Sequence, residues 1–206
     1  MRFLLHHHRW LVAAPLLLLA AACGGSDEEA GAAAADSTPA ATQAPSAPST
    51  TTAGTLTDGN IVAILAASGR SEIVPSDSVV DRVEHPQVKA FARQMITQHT
   101  ALGDTVNGVA QQNGITPAPD SLSAQLDSVT SAEVQRLRGL SGPALDRAFM
   151  LYMVRSHENV LHAIEGDLLP AAQNPQLRTA LEQDVLPMVR AHLAKADSIR
   201  RTLGSP

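Results

Sequence analysis

Between Leu56 and Leu203 the apolar residues return at helical spacing, and four long stripes can be traced. The first begins behind Asp58, placed as an N-cap, and carries Ile61, Leu65, Ser68 and Glu72. Pro75 is expected to interrupt it, with "SDS" restarting a turn before Val79 and Val83. The second opens at "HPQVKAF", with Pro86 suited to a first turn. Its stripe is Val88, Ala92, Met95, His99, Leu102, Val106 and Val109, ending at Asn113-Gly114. The loop "ITPAPDS" leads to a weaker amphipathic segment over 122–140, capped by Asp120 or Ser121 and broken by "SGP". The third long helix is expected over 143–169, where Pro170 follows; Asp146, Met150, Met153, His157, Val160 and Ile164 share its stripe. The fourth follows Asn174-Pro175 and shows Leu177, Leu181, Val185, Met188, His192, Ala196, Ile199 and Leu203, with a local kink expected at Pro187. No internal repeat is convincing. The pattern predicts an all-α antiparallel bundle of four helices with one short extra helical element.

Upstream of the stripes the character of the chain changes twice. "MRFLLHHHRWLVAAPLLLLAAAC" has a basic start, an apolar run from Trp10 to Ala22, and then Cys23. That is the layout of a signal peptide, expected over 1–22, with "HHH" at 6–8 inside the removed leader rather than in a metal site. "LAAAC" is similar to the lipobox of bacterial lipoproteins, which makes Cys23 the expected lipidated N-terminus of the mature chain. Gly24 follows it instead of the aspartate that retains lipoproteins at the inner membrane, so the expected location is the outer membrane, facing the periplasm. Residues 23–55 are the lipidated cysteine and an Ala/Ser/Thr/Pro-rich stretch without apolar periodicity; this part is expected to be a disordered tether. The bundle is expected over 56–206.

Composition narrows the function. Cys23 is the only cysteine, so the chain has no disulfide. The net charge of −5 argues against a nucleic-acid partner. Past the leader the aromatics are Phe91, Phe149 and Tyr152, and a core of Leu, Val, Ile, Met and Ala suits packed helices better than sheets.

Each apolar stripe is interrupted by one ionisable residue: Glu72, His99, His157 and His192. If they face one another at one depth in a dry interior, three imidazoles and a carboxylate form a ligand set for a divalent transition metal such as zinc, iron, manganese or copper. Asp146 lies about three turns before His157 on nearly the same face, too far along the axis to share its shell but able to orient a residue on a neighbouring helix. The alternative is a buried polar group in which these side chains only pair with each other. Glu158, His162 and Glu165 form a second face that reads as a solvated charged stripe, and His85 is a loop residue. Phosphate loops, nucleophile elbows and Cys-His pairs are not found. The Glu-x-x-His pattern of di-iron bundles is also missing, because Ile96, Val154 and Val189 stand three residues before the histidines.

The blocks "VKAFARQMITQH", "GITP", "LSGPALDRAFMLYMVRSH" and "LPMVRAHL" resemble, in order and spacing, the bacterial envelope family called domain of unknown function 4142. The resemblance covers nearly the whole domain. It implies a ferritin-like helical bundle, frequent lipoprotein leaders, and recurring polar positions that match Glu72, His99, Asp146, His157 and His192. It implies no established activity. The chain departs from the family pattern at Gln98, where an acid is usual, at Gly103, where an asparagine is usual, and at Pro75. The combined expectation is a lipid-anchored bundle that stores, buffers or senses a metal rather than catalysing a reaction. Its rival is a structural or interaction module of the envelope whose histidines fix helix register.

Overall fold

A computed structural model describes residues 56–204. Every regular element among them is helical: α1 Asp58–Val79, α2 Pro86–Gln112, α3 Ser121–Arg138, α4 Gly142–Ala163, α5 Leu169–Ala171, α6 Pro175–Ala180 and α7 Leu186–Thr202. One π-helical turn, Ile164–Leu168, joins α4 to α5, and another, Leu181–Val185, joins α6 to α7. The described residues therefore form five principal helices, the last two running over 142–171 and 175–202. The expected leader, Cys23 and the tether lie outside the described residues.

The element expected to be short and extra is a full helix. Asp120 caps α3, its side chain accepting from the Ser123 amide at 2.9 Å while Ser123 Oγ accepts from the Asp120 amide at 2.9 Å. Arg82 closes the other end by donating to the carbonyls of Leu137, Arg138 and Leu140. The pattern of α3 is weak because it buries only a narrow line, Ser123, Thr130, Val134 and Leu137. It packs chiefly on α1. That neighbour gives α1 apolar demands on several sides, so Val62, Ile64 and Ala67 are buried as well as Ile61 and Ser68. The single stripe expected for α1 was too narrow.

Pro75, expected to interrupt the first helix, is absorbed instead. Pro75 lies inside α1 without ending it. It lacks the N–H that would bond to the carbonyl of Ser71. Tyr152 of α4 supplies the missing donor, its hydroxyl bonding to Ser71 O at 2.7 Å. Pro170 and Pro187 each follow a π turn, in "IEGDLLP" and "LEQDVLP". In the wider turn the Leu169 and Leu186 amides bond to Ile164 O and Leu181 O; the first of these helices ends at Ala171, one residue after Pro170, and the second runs on through Pro187.

The two long helical hairpins clamp each other's turns. Asp58, at the start of α1, accepts from the Gln173 and Asn174 amides at 2.8 and 3.0 Å. Asp146, near the start of α4, accepts from the Glu84 and His85 amides at 3.1 and 3.0 Å. Each pair of amides immediately precedes a helix that opens with proline, Pro175 or Pro86. The aspartates thus set where α6 and α2 begin, and with them the height of His192 and His99. Gly59 is needed where the α2–α3 loop meets α1, because a Cβ there would stand 2.5 Å from Thr116 O.

The packing falls into two apolar clusters. One contains Val79, Phe91, Met95, Leu145, Met150, Met153 and Ala196, and the other Ile61, Ile64, Val106, Val160, Ile164, Val185 and Val189. On every long helix one ionisable residue falls between them: Glu72 on α1, His99 on α2, His157 on α4 and His192 on α7. The interior is thus two apolar blocks with a polar layer between.

Candidate metal centre

All four side chains of this layer are withdrawn from water, with exposures of 1 % for Glu72, 5 % for His99, 0 % for His157 and 1 % for His192. The imidazole centroids lie 5.1 to 5.9 Å apart. One ring nitrogen from each histidine falls within 4.8 Å of the others. The structure therefore brings together the four residues singled out in the sequence, three of them as potential metal donors by distance and Glu72 beside them.

Hydrogen bonding selects the free nitrogens. His157 Nδ1 lies 2.7 Å from Met153 O, which can only accept, so Nδ1 carries the proton and Nε2 keeps its lone pair. His192 Nε2 lies 2.5 Å from Gln98 Oε1, which leaves the lone pair on Nδ1. Gln98 is held as an acceptor by Gln94, whose Nε2 donates to the same Oε1 at 2.8 Å, and Lys195 donates in turn to Gln94 Oε1. His157 Nε2 and His192 Nδ1 are buried and have no hydrogen-bond partner among the described residues. Leaving such groups unpaired costs about 1–3 kcal/mol each. An imidazole fixed through one nitrogen, with the other bare and pointing into a common space, is the usual arrangement of a metal ligand and its outer partner.

Glu72 completes the layer. Its Oε2 is 2.9 Å from His99 Nε2. Two ligand atoms on one zinc ion stand roughly 3.3 Å apart, given metal–ligand bonds of about 2.1 Å. Glu72 Oε1 accepts from Ser156 Oγ at 3.2 Å and lies 3.3 Å from His157 Nδ1. Burial alone would raise the carboxyl pKa, but positive charge on His157 and His99, with hydrogen bonds from His99 and Ser156, lowers it to about 2. Burial, followed by the nearby His99 and His157, pushes the His192 imidazole down to about 3. At neutral pH the layer thus offers an anionic carboxylate and a neutral His192, both able to bind a metal.

These shifts make the metal-free fold sensitive to acid. Below pH 6.5 the unfolded chain protonates residue 192, whereas the folded chain refuses that proton down to about pH 3. Stability therefore falls as pH drops through that window. Glu72 adds a second loss between its ordinary value of 4.5 and about 2, because its ionised form is favoured only in the folded state. Melting curves of chelator-treated protein should shift down steadily from pH 7 to pH 4. A flat profile over that range would contradict the burial of a neutral His192.

Asp146 stands apart from the layer. Its carboxylate accepts from the Glu84 and His85 amides, not from an imidazole, so it acts on the neighbouring helix by fixing the start of α2, which carries His99. His85 caps α2 through Nδ1, which accepts from the Gln87 amide at 3.3 Å. Glu158, His162 and Glu165 are exposed, and Glu165 pairs with Arg190. Sequence reasoning missed Gln98, Ser156 and Tyr152 as parts of the site. The Gln94–Gln98 spacing on α2 and the position of Lys195, almost a turn after His192, were the signals available for the first of them.

An all-helical protein with a buried layer of three histidines and one glutamate is the class that fold and site define. The chain belongs to the family designated domain of unknown function 4142, whose profile matches residues 26–199. In fold it is similar to a DUF305 protein of Streptomyces coelicolor, with 13 % sequence identity over 71 % of this chain and 88 % of that one and a TM-score of 0.53. No curated protein matches the chain.

Proposed function

We propose that this chain binds a divalent transition metal in its helical interior and stores, buffers or senses it. His99, His157 and His192 are the ligands, with Glu72 as a fourth ligand or as the charge beside them. Three buried histidines, each with one ring nitrogen within 4.8 Å of the others, carry this reading. Nitrogen-rich sites with one carboxylate suit zinc, iron, manganese or copper. Helices α1, α2, α4 and α7 pack around the layer, and we read them as a ferritin-like four-helix core with α3 outside it. Protein purified without an affinity tag should carry close to one equivalent of one of these metals by elemental analysis. A metal-free preparation that also fails to take up any of the four would sink the reading.

A second reading has its own support. Glu72 already contacts His99, His157 and Ser156, so the layer could serve only to fix helix register in an envelope module.

We also propose a lipid anchor at Cys23 and an outer-membrane location facing the periplasm. The lipobox-like "LAAAC" and Gly24 support this. No helix among the described residues is long and apolar enough to cross a membrane. Cys23→Ser should move the protein from the membrane to the soluble fraction. Retention of the correctly processed Cys23→Ser variant in membranes would refute the anchor.

A further inference from the structure

A cleft of about 260 Å³ opens on the surface between α1 and α2 and runs inward to the polar layer. Buried Glu72 and His99 lie at its inner end, and exposed Asp104 and Asn107 lie at its mouth. Gly69 precedes Glu72 by three residues on α1, and Gly103 follows His99 by four on α2. In the antiparallel α1–α2 hairpin both glycines therefore stand one turn from the layer, toward the same end, on the faces that carry Glu72 and His99. Glycine is disfavoured in a helix interior, and packing does not call for it here: a Cβ added at either position meets nothing within 4 Å. The two glycines leave an open slot that leads to Glu72 and His99. Its charged lining is acidic in net effect. Arg70 is engaged by Asp127 through two hydrogen bonds of 3.0 and 2.9 Å, whereas Asp104 and Glu72 pair with no lysine or arginine among the described residues. A second cleft, between α1, α3 and α4, reaches Ser156 but is lined by none of the four layer residues.

We propose that this cleft is the path by which a divalent metal ion enters and leaves the polar layer, met at the mouth by Asp104 and received at the inner end by Glu72 and His99. The proposal rests on the metal-binding reading above and names the route to that same site. A free carboxylate at the mouth and a buried one at the end favour a cation over an anion along the whole path. Width suits a hydrated ion: a water takes about 30 Å³ of liquid volume, so the cleft has room for an ion with several of its waters. The walls, Leu65, Val106, Val185 and Val189, offer no donor that would hold the ion midway. His157 and His192 do not line the cleft, so the ion reaches Glu72 and His99 first and the other two histidines close around it afterwards.

Cobalt(II) gives uptake and release a visible-band readout independent of any activity. The chelator-treated full chain is mixed with cobalt to time uptake, release is timed into excess chelator, and Kd is measured by competition. A narrowed path raises the barrier in both directions and leaves the end states alone. Gly69→Leu and Gly103→Leu should therefore slow uptake and release by the same factor, roughly tenfold or more, with Kd within about twofold of wild type. Asp104→Asn, which leaves the width of the cleft unchanged, should slow uptake about two- to threefold at low salt and lose that effect at about 0.5 M salt, where the field at the mouth is screened. Asn159→Leu, in the second cleft, should load like wild type. If the wild-type chain takes up no cobalt, the metal reading and this proposal fall together. If cobalt binds, three results each overturn the route alone: leucine variants that load at the wild-type rate or lose uptake rate and affinity together, Asp104→Asn indifferent at low salt, or Asn159→Leu as slow as the leucine variants at the glycines.

Discussion

Chelator-treated protein should melt roughly 5–10 °C higher once its metal is restored at about a hundredfold over Kd. Binding to the folded state alone contributes about 2.7 kcal/mol at that excess, and a domain of this size gains about 2–4 °C per kcal/mol. His99→Ala, His157→Ala and His192→Ala should each abolish the response, because losing one of three imidazoles opens the ligand shell. His157→Ala should also lower the metal-free melting point, since it empties a fully buried position and removes one partner of Glu72. Under the register-fixing reading the same variants lose about 1–3 kcal/mol with or without metal, through an unpaired buried group, and a similarly shaped apolar residue is milder. A wild-type curve indifferent to zinc, iron, manganese and copper leaves that second reading standing and removes the first.

The polar layer was legible because it rests on periodicity alone. Glu72, His99, His157 and His192 each replace an apolar residue on a stripe, and a stripe states which way a side chain faces. Depth was not legible in the same way. It depends on where each helix starts, and Asp58 and Asp146 set those starts through backbone amides distant in sequence. The partners of the layer were harder still. Gln98 and Ser156 sit beside histidines on faces that periodicity assigns to solvent or to the margin, and only the neighbouring helix makes them contacts. The extra helix was underrated for a related reason: α3 buries one narrow line against a helix already buried on its other sides. Pro75 was misread because local rules weigh a missing N–H and a ring clash. They do not register a hydroxyl arriving from another helix.

Tyr152→Phe should expose that last arrangement. The hydroxyl donates to Ser71 O, the carbonyl that Pro75 leaves without its helical donor, one residue before Glu72. Burial, followed by the charge of Glu72, raises the phenol pKa to about 12, so it remains a donor throughout the working pH range. Removing it leaves a buried carbonyl unpaired, at a cost of about 1–3 kcal/mol. The same change frees the backbone that carries Glu72, so metal affinity should fall even though Tyr152 is not a ligand. Pro75→Ala restores an N–H at residue 75 and returns to Ser71 O its ordinary helical donor. In that background Tyr152→Phe should cost less than about 0.5 kcal/mol, the coupling of a shared partner in a double-mutant cycle. Equal losses in both backgrounds, by denaturant or thermal melts, would mean that the hydroxyl is not the substitute donor and that α1 passes Pro75 for some other reason.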